Sequence, residues 1–228
     1  MYWQEYSRYH GSIIDKYFRG VETSITTCQT CHNVSMPLEE SMIFNLQLDT
    51  RDRSLTELLS FAGKVEDIPD YKCDKCEKRT LARQTRRFGR LPPILVVMLK
   101  RYANPSRKNK TRVNFDLDAQ SFAPVFLSDE HRRLAPGGVR LPDDDDSFGQ
   151  QLSYRCFGVV MHQGDALDSG HYFSYLRDVR GGGDEDAWYK YNDAKVQRLK
   201  HGLDVRDLFK KDAGNGTEPF LLFFSRRR

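Results

Sequence analysis

Four of the five cysteines fall into two closely spaced pairs. Cys28 and Cys31 form one CxxC motif, and Cys73 and Cys76 form the other. A CxxC turn aims two thiolates at one point, and two such turns make the tetrahedral four-sulfur cage that zinc prefers. The alternatives are two unrelated pairs of cysteines or a redox CxxC motif, and a redox motif would explain one pair and leave the other. The pattern therefore predicts a structural zinc site, and a closed site of this kind leaves no coordination position for catalysis.

A histidine is the second candidate for chemistry. His171 lies in DSGHYFSYL (168–176), and Asn192 and Asp193 follow in WYKYNDAKV (188–196) beyond a glycine-rich turn. If the two segments pair as a hairpin, the start of the first strand lies beside the end of the second. A side-chain oxygen would then hold one imidazole nitrogen, and the other would be free to take a proton from a nucleophile. The alternative interpretation is a histidine hydrogen-bonded within an aromatic core.

The remaining thiol is a poor candidate for that nucleophile. Cys156 lies in SYRCFGVV, a segment of alternating and then continuous apolar character. Cysteine is among the most frequently buried residue types, and a thiol in the middle of a strand has no helix N-terminus to lower its pKa. We therefore expect Cys156 to have a role in the core.

Composition restricts the class of protein that must position these residues. The chain has 228 residues with 39% hydrophobic and 30% charged content, which is typical of a soluble globular protein with a substantial core. Its longest apolar run, ILVVML, is far shorter than a membrane span, and the first ten residues do not form a secretory signal. An odd cysteine count argues against a disulfide framework. We predict an intracellular protein, in the cytoplasm or nucleus, with no membrane partner.

The charge distribution does not favour a nucleic-acid partner. The formal net charge is +4, and the basic residues cluster in RRFGR, SRKNKTR and the terminal RRR. A nucleic-acid face would interleave basic and aromatic residues along one surface, and these runs do not. We interpret them as solvated segments.

The hydrophobic pattern predicts an α+β fold rich in antiparallel strands with glycine-containing turns. Helices are expected at 12–19, 54–63 and 203–211, and Ser54 and Glu57 have the spacing of a capping box. A polar surface loop is expected at 128–151. Strands are expected at 24–31, 44–49, 71–76, 81–88, 91–102, 153–163, 171–178, 187–193 and 219–226.

Taken in order, several segments resemble those of the ubiquitin-specific proteases, the cysteine deubiquitinases. They are the two CxxC motifs, LPPILVVMLKRY (91–102), GVVMHQGDALDSGHYFSYL (158–176), WYKYNDAKV (188–196) and the aromatic strand PFLLFF. The resemblance covers about residues 12–226. It implies a papain-like cysteine protease fold, with zinc-bearing fingers over about 20–90 and a palm with an antiparallel sheet over 91–228.

The resemblance also implies roles for individual residues. His171 is the catalytic base, Asn192 occupies the position of the third triad member, and Asp193 assists in polarising the site. Gly170 and Tyr172 border a narrow channel for the ubiquitin tail. Residues 162–170 resemble the loop that borders the cleft, and 128–151 is its larger companion.

One family feature is missing from the sequence. The family carries its nucleophile in a box that reads roughly G-N-T-C-[YF]-x-N-S, within a helical lobe, and this chain has neither. Three explanations stay open: a fragment or incomplete gene model, an inactive relative that still binds ubiquitin, or a cysteine supplied by another chain. The expected function is thiol-dependent hydrolysis after the C-terminal glycine of ubiquitin, with ubiquitin, ubiquitinated proteins and the missing lobe as partners. The alternative is an inactive, zinc-stabilised ubiquitin-binding module.

Overall fold

A computed structural model describes residues 11–104, 107–135, 152–166, 169–178, 187–200, 205, 207, 209 and 216–227. The helices are α1 (Ile13–Phe18), α2 (Leu55–Ala62) and α3 (Asp129–Arg133), with a 3-10 turn at Ala123–Val125. The strands are β1 (Gly20–Cys28), β2 (Val34–Ser35), β3 (Leu38–Ser41), β4 (Ile43–Gln47), β5 (Arg53–Ser54), β6 (Glu66–Lys72), β7 (Arg79–Arg90), β8 (Ile94–Lys100), β9 (Tyr102–Asn104), β10 (Arg107–Lys108), β11 (Val113–Asn114), β12 (Gln120–Ser121), β13 (Ser153–Gln163), β14 (His171–Arg177), β15 (Trp188–Asn192), β16 (Lys195–Arg198) and β17 (Thr217–Arg226).

The smaller of the two main sheets, the finger sheet, has the strand order β2-β1-β7-β6, and β3 also pairs with β1. All its pairs are antiparallel, and β1 and β7 make the longest ladder. Its own apolar cluster is small and comprises Ile25, Met36 and Leu127. The finger sheet therefore has little hydrophobic stabilisation of its own.

The larger sheet, the palm sheet, has the order β16-β15-β14-β13-β17-β8-β4, with β12 paired to β13. Leu222 of β17 lies between Val97 of β8 and Val159 of β13, and all three are fully buried. Helix α2 contributes Leu55 and Leu59 to the same core. Such a core supports a stable sheet because each large buried side chain contributes about 1.5–3 kcal/mol.

The predicted capping box at α2 is confirmed. The Ser54 hydroxyl accepts from the backbone N–H of Glu57 at 3.2 Å, and the Glu57 carboxylate accepts from the backbone N–H of Ser54 at 2.8 Å. These reciprocal bonds satisfy free N–H groups at the helix start.

Two features differ from the sequence-based expectations. Strand β4 lies within the range predicted for the fingers but belongs to the palm sheet, where it runs parallel to β8. The palm sheet is therefore not wholly antiparallel, since apolar alternation marks a strand without indicating its partner or direction. The start of the loop expected at 128–151 forms α3, where Ser128 is the N-cap.

Several other predictions fall wholly or partly outside the described residues. These are the remainder of that loop from residue 136 to 151, the glycine-rich turn at 180–186, and most of the helix expected at 203–211, of which Val205, Asp207 and Phe209 are described and helical. Within the described part of the chain, every helix is too short or too polar to cross a membrane.

Candidate active site and metal centre

The strand register of the palm sheet brings the predicted base and its partner together. The β14–β15 ladder ends at the pair Ser174 and Tyr191, so the first residue of β14 and the last residue of β15 lie at the same end of the sheet. There His171 Nε2 lies 2.5 Å from Asn192 Oδ1. Because a carbonyl oxygen only accepts, the hydrogen bond assigns the proton to Nε2 and leaves the lone pair on Nδ1. Nδ1 is then the nitrogen that can take a proton from a nucleophile.

Asp193 has a secondary place at this site. It is the first residue of the two-residue turn between β15 and β16 and has a positive φ of 51°, which aspartate tolerates better than most residues. Its Oδ2 lies 3.9 Å from His171 Nε2, beyond hydrogen-bonding distance, and its side chain is 79% exposed. The Asp193 carboxylate can therefore add only a weak, solvent-screened attraction to a charged imidazole.

The backbone before the histidine requires glycine. Gly170 has a φ of +144°, and a Cβ there would lie 2.4 Å from Gln163 O and 2.6 Å from His162 Nε2. Gln163 is also the ladder partner of His171. Gly170 thus sets where β14 begins and hence where the imidazole of His171 stands.

His162 supports this position, and sequence reasoning assigned it no role. Its side chain is fully buried, its Nδ1 lies 3.0 Å from the Tyr102 hydroxyl, and burial lowers its pKa. The H-x-G spacing of His162 and Gly164 was the available signal, but nothing in the spacing shows that the imidazole lies beneath Gly170.

Tyr172 contacts a different set of side chains. Its ring lies 4.5 Å from that of His162 and 5.7 Å from that of Phe220, whereas the ring of His171 stacks near Phe173 at 6.5 Å. Adjacent residues of a strand face opposite sides, which explains the separation. Tyr172 is 43% exposed, and its place beside a ubiquitin-tail channel stays a prediction.

The four paired cysteines converge at the tip of the finger sheet. The Sγ atoms of Cys28, Cys31, Cys73 and Cys76 all lie within 4.8 Å of one another, and those of Cys31 and Cys73 are 3.6 Å apart. Four thiolates around zinc at about 2.3 Å would stand about 3.8 Å apart, so the cluster fits a tetrahedral site. The backbone N–H of Cys31 lowers the pKa of Cys28 to about 7, whereas burial and the neighbouring thiols raise the pKa of Cys31 to about 11.

The two CxxC turns have matching backbone geometry. The N–H of the residue after each motif, His32 or Glu77, donates to the carbonyl of the first cysteine, at 3.0 Å and 2.8 Å. Both residues have a positive φ, of 56° and 55°. The N–H of each first cysteine is also satisfied, by a carbonyl five residues later. Each turn therefore directs its two thiols to the same side, as a shared metal requires.

Cys156 is buried as predicted and stands far from His171. It is fully buried in β13, and burial raises its pKa to about 12. Gln163, seven residues further along the same strand, is the ladder partner of His171. Seven residues of strand span roughly 23 Å, so Cys156 cannot serve this imidazole as a nucleophile.

Comparisons with known proteins agree on one family. The model of the family "Ubiquitin carboxyl-terminal hydrolase" matches residues 2–224. Ubiquitin carboxyl-terminal hydrolase 27 of Mus musculus is 27% identical over 244 residues, which cover 94% of this chain and 51% of that protein. Ubiquitin carboxyl-terminal hydrolase 4 of Eremothecium gossypii is 26% identical over 206 residues, 87% of this chain and 23% of that protein. The chain thus spans between about a quarter and a half of the length of these relatives.

Solved structures show the same fold. The SAGA Ubp8/Sgf11/Sus1/Sgf73 DUB module bound to ubiquitin aldehyde matches with a TM-score of 0.68 and 22% identity, over 95% of this chain and 43% of that chain. The yeast SAGA DUB module with an Sgf73 mutant matches with a TM-score of 0.69 and 22% identity, over 99% and 45%. The predicted papain-like fold is confirmed.

Proposed function

Because this chain belongs to the ubiquitin carboxyl-terminal hydrolase family, we propose that it is the base-bearing part of a thiol-dependent deubiquitinase. Its substrates are ubiquitin conjugates, cleaved after the C-terminal glycine of ubiquitin. The observation that carries the proposal is the 2.5 Å hydrogen bond between His171 Nε2 and Asn192 Oδ1. That bond leaves Nδ1 as a base at the edge of a rigid sheet.

The nucleophile in this proposal is a cysteine outside these 228 residues. Four of the five cysteines face one another in the fingers, and Cys156 is buried with a raised pKa. His171 Nδ1 takes the proton of the attacking thiol, and the thiolate adds to the carbonyl carbon of the terminal glycine. The imidazolium then gives the proton to the leaving amine, and water hydrolyses the thioester with His171 again as base. Asn192 holds the ring through both steps.

Hydrolysis of a fluorogenic amide of the ubiquitin C-terminus tests the proposal. We expect the chain alone and its Cys156→Ala variant to be inactive, because neither supplies a thiol near His171. In a longer protein that includes the nucleophile, His171→Ala should lower kcat by at least about a hundredfold, within the usual range for losing a general base. Retained turnover in that variant would contradict the role of His171. Inactivity of the longer protein together with intact ubiquitin binding would favour the binding-module alternative.

We also propose that the cysteine cluster binds a zinc ion. We further propose that the protein is located in a reducing compartment, the cytoplasm or the nucleus. Cys28, Cys31, Cys73 and Cys76 would hold the ion, which would cross-link the two turns at the finger tip and take no part in the reaction. None of the five cysteines forms a disulfide, which fits a reducing environment. The surface of the palm and fingers would bind the body of ubiquitin, so that the flexible tail is presented at His171.

A further inference from the structure

A buried polar cluster lies beneath the loop that leads into His171. Its members, which we call the loop-stem cluster, are Tyr102, Lys108, His162 and Glu218. The Lys108 side chain is fully buried and its Nζ lies 2.6 Å from Oε2 of Glu218, which is 1% exposed. Desolvating a buried ion pair is costly in free energy, so we asked what this pair contributes at its place in the fold.

Lys108 joins three separate segments of the palm. Its ammonium donates to His162 O at 2.7 Å, to Gly164 O at 2.9 Å and to Gly216 O at 3.5 Å. These carbonyls belong to the end of β13, to the start of the loop and to the residue before β17. The three N–H groups of the ammonium match its three short contacts, to His162 O, Gly164 O and the Glu218 carboxylate. Gly216 O lies further away and also accepts from the backbone N–H of Gly164 at 3.2 Å.

Tyr102 fixes the next part of the loop. Its hydroxyl donates to Ala166 O at 3.2 Å and lies 3.0 Å from His162 Nδ1. If the hydroxyl proton goes to the carbonyl, His162 must donate from Nδ1, and its Nε2 then carries a lone pair. That Nε2 is buried and makes no hydrogen bond within the described residues, and it is the atom that a Cβ at Gly170 would approach to 2.6 Å.

The two ends of the loop touch directly above this cluster. A Cβ at Gly164 would lie 3.0 Å from Gly170 Cα and 3.0 Å from Ser169 O. Lys108 therefore holds Gly164, Gly164 packs against Gly170, and Gly170 immediately precedes His171. A displacement of the loop stem would be passed to the imidazole, since packed backbone segments at this distance cannot move independently.

We propose that the loop-stem cluster positions His171, with Lys108 as its central positioning residue. The inference rests on the proposed function, because it concerns how the base of that reaction is held. The cluster keeps Gly164 and Gly170 in contact, which fixes the start of β14 and keeps Nε2 of His171 on Asn192. Errors of about 1 Å in a catalytic group can cost on the order of a hundredfold in rate, so this support has kinetic consequences.

Two variants and one control test the proposal. Lys108→Met keeps an unbranched side chain, one atom shorter, but removes the ammonium, and Tyr102→Phe removes a single oxygen. The control is Lys110→Met, because Lys110 forms an ion pair with Asp165 of the same loop at 2.7 Å but both side chains are more than half exposed. Exposed ion pairs of this kind contribute little to stability, so removing this one should leave the loop in place.

Steady-state hydrolysis of the fluorogenic ubiquitin amide by the longer protein gives the first readout. We expect Lys108→Met to lower kcat roughly 10- to 100-fold and Tyr102→Phe roughly 3- to 10-fold, with KM changed less than about twofold because ubiquitin is bound remotely. Lys110→Met should stay within about twofold in both constants. Unchanged kcat in Tyr102→Phe overturns the proposal, even where Lys108→Met fails to fold.

Imidazole ¹⁵N–¹H spectra of His171 in the 228-residue chain give a readout that needs no activity. The folded parent should show a slowly exchanging Nε2 proton, and both cluster variants should exchange it faster by about tenfold or more. A purely structural role would lower thermal stability and leave this signal unchanged in the folded fraction, which would overturn the proposal. Failure of the proposed function would appear differently, as absent hydrolysis in every protein with the spectroscopic effect intact.

Discussion

At the residue scale, two histidines nine positions apart in one sheet have opposite environments. His171 is partly exposed and bonded to Asn192, whereas His162 is fully buried and has a lowered pKa. The pairing of β14 with β15 was predictable from their aromatic patterns and the glycine-rich turn between them. This pairing places His171 beside Asn192. The role of His162 was not predictable, because burial depends on what covers a strand and not on its own alternation.

Glycine substitutions test how strictly the start of β14 is specified. Gly170 and Gly216 both have a positive φ, of +144° and +69°, but a Cβ at Gly216 would meet nothing within 4 Å. We expect Gly216→Ala to cost about 1 kcal/mol from backbone strain alone. Gly170→Ala should cost about 3 kcal/mol or more, because the new Cβ adds a clash with the Gln163 carbonyl.

Urea unfolding of the two variants measures these costs directly. Equal losses in the free energy of unfolding would contradict the clash at Gly170 and would leave strain as the whole effect. The two glycines also differ in φ, so the difference between the two losses measures the contacts with Gln163 and His162 together with the larger backbone strain at Gly170.

At the element scale, local signals were readable and long-range pairing was not. The capping box of α2 follows from residues close in sequence and is present. The strand expected at 71–76 is only partly right, because β6 ends at Lys72 and residues 73–76 belong to the connection that leads to β7. The parallel pairing of β4 with β8 joins segments about fifty residues apart, and neither segment alone specifies it. The shared cysteine cluster was predictable despite its separation, because two CxxC pairs supply the four thiols of one tetrahedral metal site.

Metal removal should act on the finger sheet and leave the palm sheet folded. The finger cluster holds few buried apolar residues, whereas the palm core is extensive. Bound zinc in small sites contributes on the order of 10 kcal/mol of apparent folding free energy. A strong chelator should therefore greatly lower the free energy of unfolding of the finger sheet. Hydrogen exchange should rise in β1, β6 and β7 and stay unchanged in β13 and β17.

Elemental analysis supplies the control for this experiment. We expect about one zinc ion per purified chain, and most of it lost in Cys76→Ser but not in Cys156→Ser. Exchange in the fingers that is indifferent to chelation would contradict a structural metal.

At the scale of the whole molecule, many charged side chains among the described residues stand in ion pairs. On the finger surface Arg79 lies 2.6 Å from Asp70, and Arg83 lies 3.4 Å from Asp67, with all four side chains exposed. Basic side chains that stand beside carboxylates present a weak net field to a polyanion. In the basic run at 106–112, Lys108 and Lys110 are likewise paired, with Glu218 and Asp165. This run therefore does not require a nucleic-acid partner, and it is compatible with a protein partner held by shape and apolar contact.

The salt dependence of binding separates these two kinds of partner. We expect His171→Ala in the longer protein to bind ubiquitin as tightly as its parent, because in the proposed complex the palm and finger surface, and not the imidazole, would hold the body of ubiquitin. We expect its affinity to fall by less than about tenfold between 50 and 200 mM salt. A nucleic-acid complex with six to ten phosphate contacts would lose about a thousandfold or more over that range. Fluorescence anisotropy with labelled ubiquitin and with a labelled single strand measures both. A steep loss of ubiquitin affinity with salt would place ion pairs at the centre of the interface. Tight binding of the single-stranded nucleic acid would contradict a surface selective for ubiquitin.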